Sequence, residues 1–112
     1  MGKNGIDVTH GYVYLAMGDD GIIKVNVFNG NVDASYKSQG NGFANAVHVD
    51  DGIVYVAYGS DGLITLNESD LSFITSYNAE GSCNYVEVKN DLLFLAYGNT
   101  GGLTILRKQL YP

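Results

Sequence analysis

The sequence is poor in cysteine, proline and charge. Its 112 residues include one cysteine, one proline and no tryptophan, and charged residues make up only 16% of the chain. A single cysteine, Cys83, excludes an internal disulfide framework and a cysteine-based zinc site within one chain. Six Lys and Arg against twelve Asp and Glu give a net charge of −6, which argues against binding to nucleic-acid phosphates. Every apolar run falls far short of the ~20 residues of a membrane-spanning helix.

Apolar residues and glycine are what the chain has in quantity. Hydrophobic residues make up 46% of the sequence, and fifteen residues are glycine. This composition excludes a disordered chain, and the length predicts one domain with a core of its own.

Three copies of one pattern run along the chain. An Ala-x-Gly triplet ends at Gly18, Gly59 and Gly98, at spacings of 41 and 39 residues. Short apolar segments precede and follow each triplet, separated by turns, and no segment shows a 3.6-residue period. The Gly-Asp-Asp-Gly and Gly-Ser-Asp-Gly segments (18–21 and 59–62) indicate tight hairpin turns rather than calcium loops, which need more oxygen ligands. The pattern predicts about eleven strands and essentially no helix.

Four antiparallel strands every ~40 residues, apolar on both faces, are typical of β-propeller blades. We therefore expect an all-β chain that forms one partial β-propeller domain (1–112). Its blades span approximately 4–41, 42–82 and 83–112: two complete blades, and a third with three strands. Gly102 indicates a one-residue insertion in the third copy, which aligns Leu103 with Leu63 and Leu106 with Leu66.

The segment from Val49 to Leu66 resembles the LVIVD repeat of bacterial β-propeller proteins, and the other two copies match parts of the same pattern. The chain differs from that pattern at Asn26 and Asn67, where the family has aspartate. The resemblance implies a propeller and an extracytoplasmic location, in the periplasm or at the cell surface. It implies no ligand, because the family has no shared catalytic motif.

A closed propeller typically has four to eight blades, so we expect this chain to be the C-terminal piece of a longer propeller or a partial ring. Its partners are then the missing blades of a parent chain or further copies of itself, two of which would form a six-bladed ring. We expect the open blade faces to display Tyr14, Phe94 and Tyr97, and the chain not to persist as a monomer.

Equivalent positions on the first strand of each copy carry the candidate site residues. Since equivalent residues of successive blades form a ring around the propeller axis, we expect them to converge on the central channel. The candidate ligand-binding residues are Asn4, Asn45, Asn84, Asp7, His48, Glu87 and Tyr85. Two carboxylates and an imidazole can bind a metal ion or polarise water. They can equally be solvated channel groups, with the asparagines bonded to backbone. Tyr85 replaces Gly5 and Ala46, and can pack or stack on a sugar or peptide.

Three functions remain open at this point. The first is a non-enzymatic module, with no cofactor, that binds a protein, peptide or glycan through its loops and channel mouth. The second is an enzyme or metal site on the channel that uses Asp7, His48 and Glu87. The third is a purely structural repeat. No nucleophile motif supports catalysis, and Cys83 is expected to be buried and inert.

Overall fold

The structure is a computed structural model that describes residues 5–78, 81–98 and 102–108. Eleven strands form within these residues, as the sequence predicts. They are β1 (Ile6–Thr9), β2 (Tyr12–Ala16), β3 (Ile22–Asn26), β4 (Val32–Tyr36), β5 (Ala46–Asp50), β6 (Ile53–Ala57), β7 (Leu63–Asn67), β8 (Phe73–Tyr77), β9 (Ser82–Lys89), β10 (Leu92–Gly98) and β11 (Gly102–Arg107). No helix among the described residues is long and apolar enough to cross a membrane.

The strands form three antiparallel sheets, which are the three predicted blades. The first blade has the order β1-β2-β3-β4, the second β5-β6-β7-β8, and the third, within the described residues, β9-β10-β11. The register pairs Ala96 with Leu103 as it pairs Ala57 with Leu63, so the insertion at Gly102 is confirmed. Within the described residues the fold is therefore all-β and built from propeller blades.

Two-residue turns join the first two strands of each blade. His10, Asp51 and Asn90 have positive φ angles of 53°, 53° and 54°. Aspartate, asparagine and, less often, histidine tolerate this left-handed conformation, and the turn type matches the twist of the flanking strands.

The first strands of the blades lie side by side on the inner side of the arc. β1 contacts β5, and β5 contacts β9. The repeated glycine helps to fix this stacking. Gly18 exchanges two backbone hydrogen bonds with Ala44 (2.8 and 2.9 Å), and Gly59 does the same with Cys83. Each glycine therefore pairs with the residue that leads into the next blade.

Two apolar cores lie between the blades. The first, between the first and second blades, contains Tyr14, Ile22, Val47, Val56 and Leu66. The second, between the second and third blades, contains Tyr55, Leu63, Val86, Leu93 and Tyr97. Alternation along each strand sends one set of side chains to each face, so the middle blade is buried on both sides.

We expected Tyr14, Phe94 and Tyr97 to be displayed on the open blade faces, and this expectation is wrong for Tyr14 and Tyr97. Tyr14 is fully buried between the first and second blades, and Tyr97 lies in the core between the second and third. Phe94 is half-buried and has the opposite strand parity from Tyr97. Because side chains alternate with a period of two, Tyr97 points back to the second blade while Phe94 points to the uncovered face.

Candidate functional site

The candidate residues on the inner strands mostly contact neighbouring strands or one another. Asp7 on β1 is half-buried, and its Oδ2 accepts a hydrogen bond of 2.7 Å from the backbone N–H of Val49 on β5. A carboxylate bonded to a backbone amide is a strong, charge-assisted contact. Asp7 therefore ties the first blade to the second.

His48 and Glu87, which are the repeat equivalents of Asp7, have different surroundings. His48 is half-buried, and its Nδ1 has no hydrogen-bond partner among the described residues. Glu87 is exposed and accepts a hydrogen bond of 3.1 Å from the hydroxyl of Tyr85. The three side chains do not form a cluster, and no group of three or more His, Cys, Asp or Glu within the described ranges could hold a metal ion.

The asparagines join the second and third blades. Nδ2 of Asn45 donates to Oδ1 of Asn84 at 3.1 Å and to the carbonyl of Cys83 at 3.3 Å. Oδ1 of Asn84 also accepts from the hydroxyl of Ser82 at 3.0 Å. Asn4, the equivalent in the first copy, lies outside the described residues. The asparagines that are described thus link blades near the start of the inner strands.

Tyr85 lies on β9 and its hydroxyl is directed at the carboxylate two residues further along the same strand. This hydrogen bond to Glu87 raises the pKa of Tyr85 above its usual 10.0, because the bond is made by the protonated phenol. Tyr85 is half-buried and Glu87 exposed, so the pair presents a ring and a carboxylate together.

Cys83 is not a nucleophile at neutral pH. Its side chain is fully buried, and this burial raises the pKa of the thiol to about 11. Since the thiolate is the reactive form, a buried thiol of this kind is inert. The expected burial of Cys83 is confirmed.

The loop between the first and second blades (residues 37–45) is held in place by a carboxylate that the sequence did not single out. Oδ2 of Asp61 accepts hydrogen bonds from the Ser38 hydroxyl at 2.7 Å and from the Gly42 N–H at 3.0 Å. The Tyr58 hydroxyl accepts from the Ser38 N–H at 2.8 Å. Asp61 belongs to the turn 59–62, whose sequence predicts only a tight hairpin turn. The feature of the sequence that points to a closely held loop is the pair of glycines at positions 40 and 42.

Close packing adds to this restraint. A Cβ atom on Gly40 would lie 2.1 Å from Oδ1 of Asp61, and one on Gly42 would lie 2.1 Å from the Tyr58 carbonyl oxygen. Glycine is therefore required at position 42, where the clash is with backbone, whereas a side chain at position 40 would displace the Asp61 carboxylate. Gln39, Asn41 and Phe43 remain exposed on the loop, with Phe43 52% exposed.

The loop lies at one end of the blades, which we call the loop end. This end consists of the β2–β3 and β6–β7 turns and the loop 37–45, since Gly18 in the first of these turns pairs with Ala44. Asn45 and Asn84 lie at the same end, at the start of the inner strands. The arrangement places an exposed aromatic ring and amides on a hydrogen-bonded loop near the start of the inner strands.

A second polar cluster, also unforeseen, lies at the opposite end. Lys24 is only 6% exposed, and its ammonium donates to the carbonyls of Glu68 (2.8 Å) and Ser69 (2.9 Å) on the second blade. The ammonium also lies 4.2 Å from the centre of the Tyr12 ring. Oε2 of Glu68 lies 2.7 Å from Nδ1 of His10. This cluster joins the first blade to the β7–β8 hairpin of the second.

Comparisons with known proteins bear on the fold alone. No family model matches the chain, and no curated protein matches it. Among solved structures, the quinohemoprotein alcohol dehydrogenase from Comamonas testosteroni superimposes with a TM-score of 0.80 at 18% identity, over 97% of this chain and 20% of that one. The computationally designed Ika4 protein gives 0.77 at 10% identity, over 91% and 63%. The designed Ika8 protein gives 0.74 at 10% identity, over 91% and 32%.

These neighbours are β-propellers, which supports the fold of this chain. The chain spans less than two thirds of the length of each. At such low identity the likeness carries nothing about activity, because the same fold serves many functions.

Proposed function

We propose that this chain is a non-catalytic β-propeller module that binds a protein, peptide or glycan through its loop end. The observation that carries the proposal is the restraint of loop 37–45 by Asp61, which accepts hydrogen bonds from Ser38 and Gly42. A loop that is already ordered loses little conformational entropy when it binds a partner. Binding residues are often on loops held by a rigid scaffold.

The chemistry of the loop suits a partner with both apolar and polar groups. Phe43 offers a ring face that can stack on a sugar or pack on an apolar side chain, and Gln39 and Asn41 offer amide donors and acceptors. The neighbouring turn adds the exposed Ser60 hydroxyl. This end therefore presents neutral hydrogen-bonding groups around an aromatic ring, together with the exposed charged groups of Asp19, Asp20 and Lys37.

The use of the inner-strand side chains supports a non-catalytic role. Asp7 is bonded to Val49 N–H, and Asn45 is bonded to Asn84. Hydrogen bonds of this kind hold neighbouring blades together, which gives these groups a structural use.

The location we propose is extracytoplasmic, with the chain part of a bacterial surface or periplasmic protein of the LVIVD-repeat family. Support comes from the resemblance of Val49–Leu66 to that repeat. The parent gene tests the location, because we expect an export signal in it; a parent gene without one would contradict this part of the proposal.

The binding proposal is tested with defined probes: a glycan microarray and a displayed random-peptide library. We expect binders that lose affinity by at least about tenfold on Phe43→Ala, the scale expected when one buried aromatic contact is lost. Phe73→Ala is the matched control, because Phe73 is also 52% exposed but lies on the outer strand β8. Equal losses for both variants, or no binder from either library, would contradict the proposal.

A metal site on the channel is the second candidate, and the unpartnered Nδ1 of His48 is the observation that favours it. Neutral imidazole nitrogen is a common zinc ligand. The test is titration with zinc, manganese or calcium chloride, followed by thermal unfolding and elemental analysis. Our proposal predicts no stoichiometric metal. One metal per chain that is lost on the double substitution of His48 and Glu87 by Ala would favour the second candidate.

A further inference from the structure

Among the described residues, the two outer blades each leave one apolar face uncovered. On the first blade this surface, the front face, contains Ile6, Val8, Met17, Val27 and Val32, whose side chains are 41–60% exposed. On the third blade the opposite surface, the back face, contains Tyr85, Glu87, Phe94, Ala96, Leu103 and Ile105. Leu103 is 65% exposed and Ile105 52%. Apolar faces of this kind typically mark interfaces.

Both faces repeat surfaces that are buried inside the chain. Val47, the repeat equivalent of Ile6, and Tyr58, the equivalent of Met17, are buried against the first blade. Tyr55 and Leu63, the equivalents of Phe94 and Leu103, are buried against the third blade. The back face is therefore the type of surface that covers a front face at both internal interfaces.

The positions where the outer faces depart from the repeat match each other in polarity. Inside the chain, Lys24 bonds to the carbonyls of Glu68 and Ser69. On the back face Ile105 occupies the position of Lys24, since it pairs with Phe94 as Lys24 pairs with Tyr14. On the front face the equivalents of Glu68 and Ser69 are Val27 and Phe28, which are 46% and 89% exposed. Inside the chain the Tyr14 hydroxyl also donates a hydrogen bond of 3.3 Å to the Glu68 carboxylate. Phe94 on the back face lacks this hydroxyl, and Val27 on the front face lacks the carboxylate, so both partners of this side-chain contact are replaced by apolar groups.

The side chains that differ from the repeat on the two outer faces also compensate each other in volume. At the internal interfaces small residues, Gly5 and Ala46, face the next blade, and that blade carries a tyrosine, Tyr58 or Tyr97. Tyr85 replaces the small residue on the back face, and Met17 replaces the tyrosine on the front face. A large side chain opposite the flexible methionine conserves the packed volume, which close-packed interiors require.

One hydrogen bond completes the match. Inside the chain, the carboxylate of Asp7 accepts from the N–H of Val49. The equivalent carboxylate on the back face is Glu87, and the equivalent amide on the front face is that of Val8.

From these relationships we infer that the back face of one chain packs head to tail on the front face of a second copy of the same chain. Ile105 then contacts Val27 and Phe28 of the second copy, and Glu87 accepts from its Val8 N–H. Head-to-tail contacts form a ring when the rotation closes. Two copies give six blades, within the usual range of about four to eight, whereas three copies give nine.

Sedimentation velocity on the 112-residue chain tests this inference. We expect a dimer at micromolar concentration, with twice the 12.0 kDa mass of the chain. Ile105→Glu is expected to weaken dimerisation by at least about 100-fold, because it buries a carboxylate in an apolar face beside backbone carbonyl oxygens, which cannot donate a hydrogen bond to it. Ser76→Glu is the matched control with the same change in charge, at an exposed position on the outer strand β8 of the middle blade, and is expected to stay dimeric. Circular dichroism checks that both variants fold.

Crosslinking tests the orientation independently. The single variants Val8→Cys and Glu87→Cys are treated with a short bismaleimide, separately and mixed, while the buried Cys83 stays unreactive. We expect a crosslinked dimer only in the mixture.

Four outcomes would overturn the inference. They are a monomeric chain, whose faces would then be covered by blades of a longer parent, an open series larger than a dimer, an Ile105→Glu variant as dimeric as the control, and crosslinking of Glu87→Cys alone. None of them affects the proposed binding at the loop end, because Phe43 lies on neither face.

Discussion

Asp7 and Val49 join the first strands of two neighbouring blades. Oδ2 of Asp7 lies 2.7 Å from the backbone nitrogen of Val49, and the two residues are 42 positions apart in the sequence. The contact places a half-buried carboxylate between two inner strands, in the position where a catalytic or metal-binding role was a candidate. Its partner is a backbone amide, so its role here is to hold the blades together.

Lys24 is expected to stabilise the interface between the first and second blades. Lys24→Met removes two hydrogen bonds to the carbonyls of Glu68 and Ser69 and should lower the free energy of unfolding by about 1.5–3 kcal/mol. Lys37→Met is the control, because Lys37 is exposed, and should change it by less than about 0.5 kcal/mol. Urea unfolding measures both, and equal effects would contradict this role of Lys24.

Gly42 is expected to be essential for the conformation of loop 37–45. Gly42→Ala places a Cβ atom 2.1 Å from the Tyr58 carbonyl oxygen, so the loop must shift, at a cost of about 1–3 kcal/mol. Gly5→Ala is the control, since its Cβ atom would meet nothing closer than 3.8 Å. Thermal unfolding compares the two variants. A Gly42→Ala protein as stable as Gly5→Ala would show that the loop is not held as described.

Alkaline pH is expected to destabilise the fold. Burial raises the pKa of Cys83 from 9.0 to about 11 and that of Tyr55 from 10.0 to about 12. Below pH 9 both groups are protonated in the folded and unfolded states, so stability is at its full value. As pH rises from about 9 to 12, the unfolded chain releases these protons first and the free energy of unfolding falls.

Urea midpoints measured across this pH range check the expectation. Between about pH 9 and 11 the free energy of unfolding of the Cys83→Ala variant should fall less than that of the wild-type chain, because one of the two groups no longer titrates. A wild-type midpoint that stays constant through this range would contradict the expectation.

The repeat and the strands could be read from the sequence because both depend on local patterns. The Ala-x-Gly triplets ending at Gly18, Gly59 and Gly98 located the blades, and short apolar segments separated by turns located the strands. The contacts of Asp7, Lys24 and Asp61 could not be read, because each partner belongs to another blade or to the loop between blades. A lysine in a strand is ordinarily exposed, and Lys24 is buried only because the β7–β8 hairpin supplies two carbonyl oxygens.

The sequence also could not predict which aromatic side chains of the blades are covered by a neighbouring blade. Tyr14 and Phe94 are repeat equivalents, yet one is covered by the second blade and the other faces outward. Their difference comes from position in the arc rather than from local pattern.

Hydrogen exchange at the Val49 amide tests most directly the claim that inner-strand polar groups hold the blades together. In the wild-type chain we expect slow exchange at Val49. In Asp7→Ala we expect fast exchange there and a loss of stability of about 1.5–3 kcal/mol, whereas Asp33→Ala, at an exposed aspartate on β4, should leave both unchanged. A Val49 amide that exchanges equally slowly in wild-type and Asp7→Ala proteins of equal stability would contradict the claim.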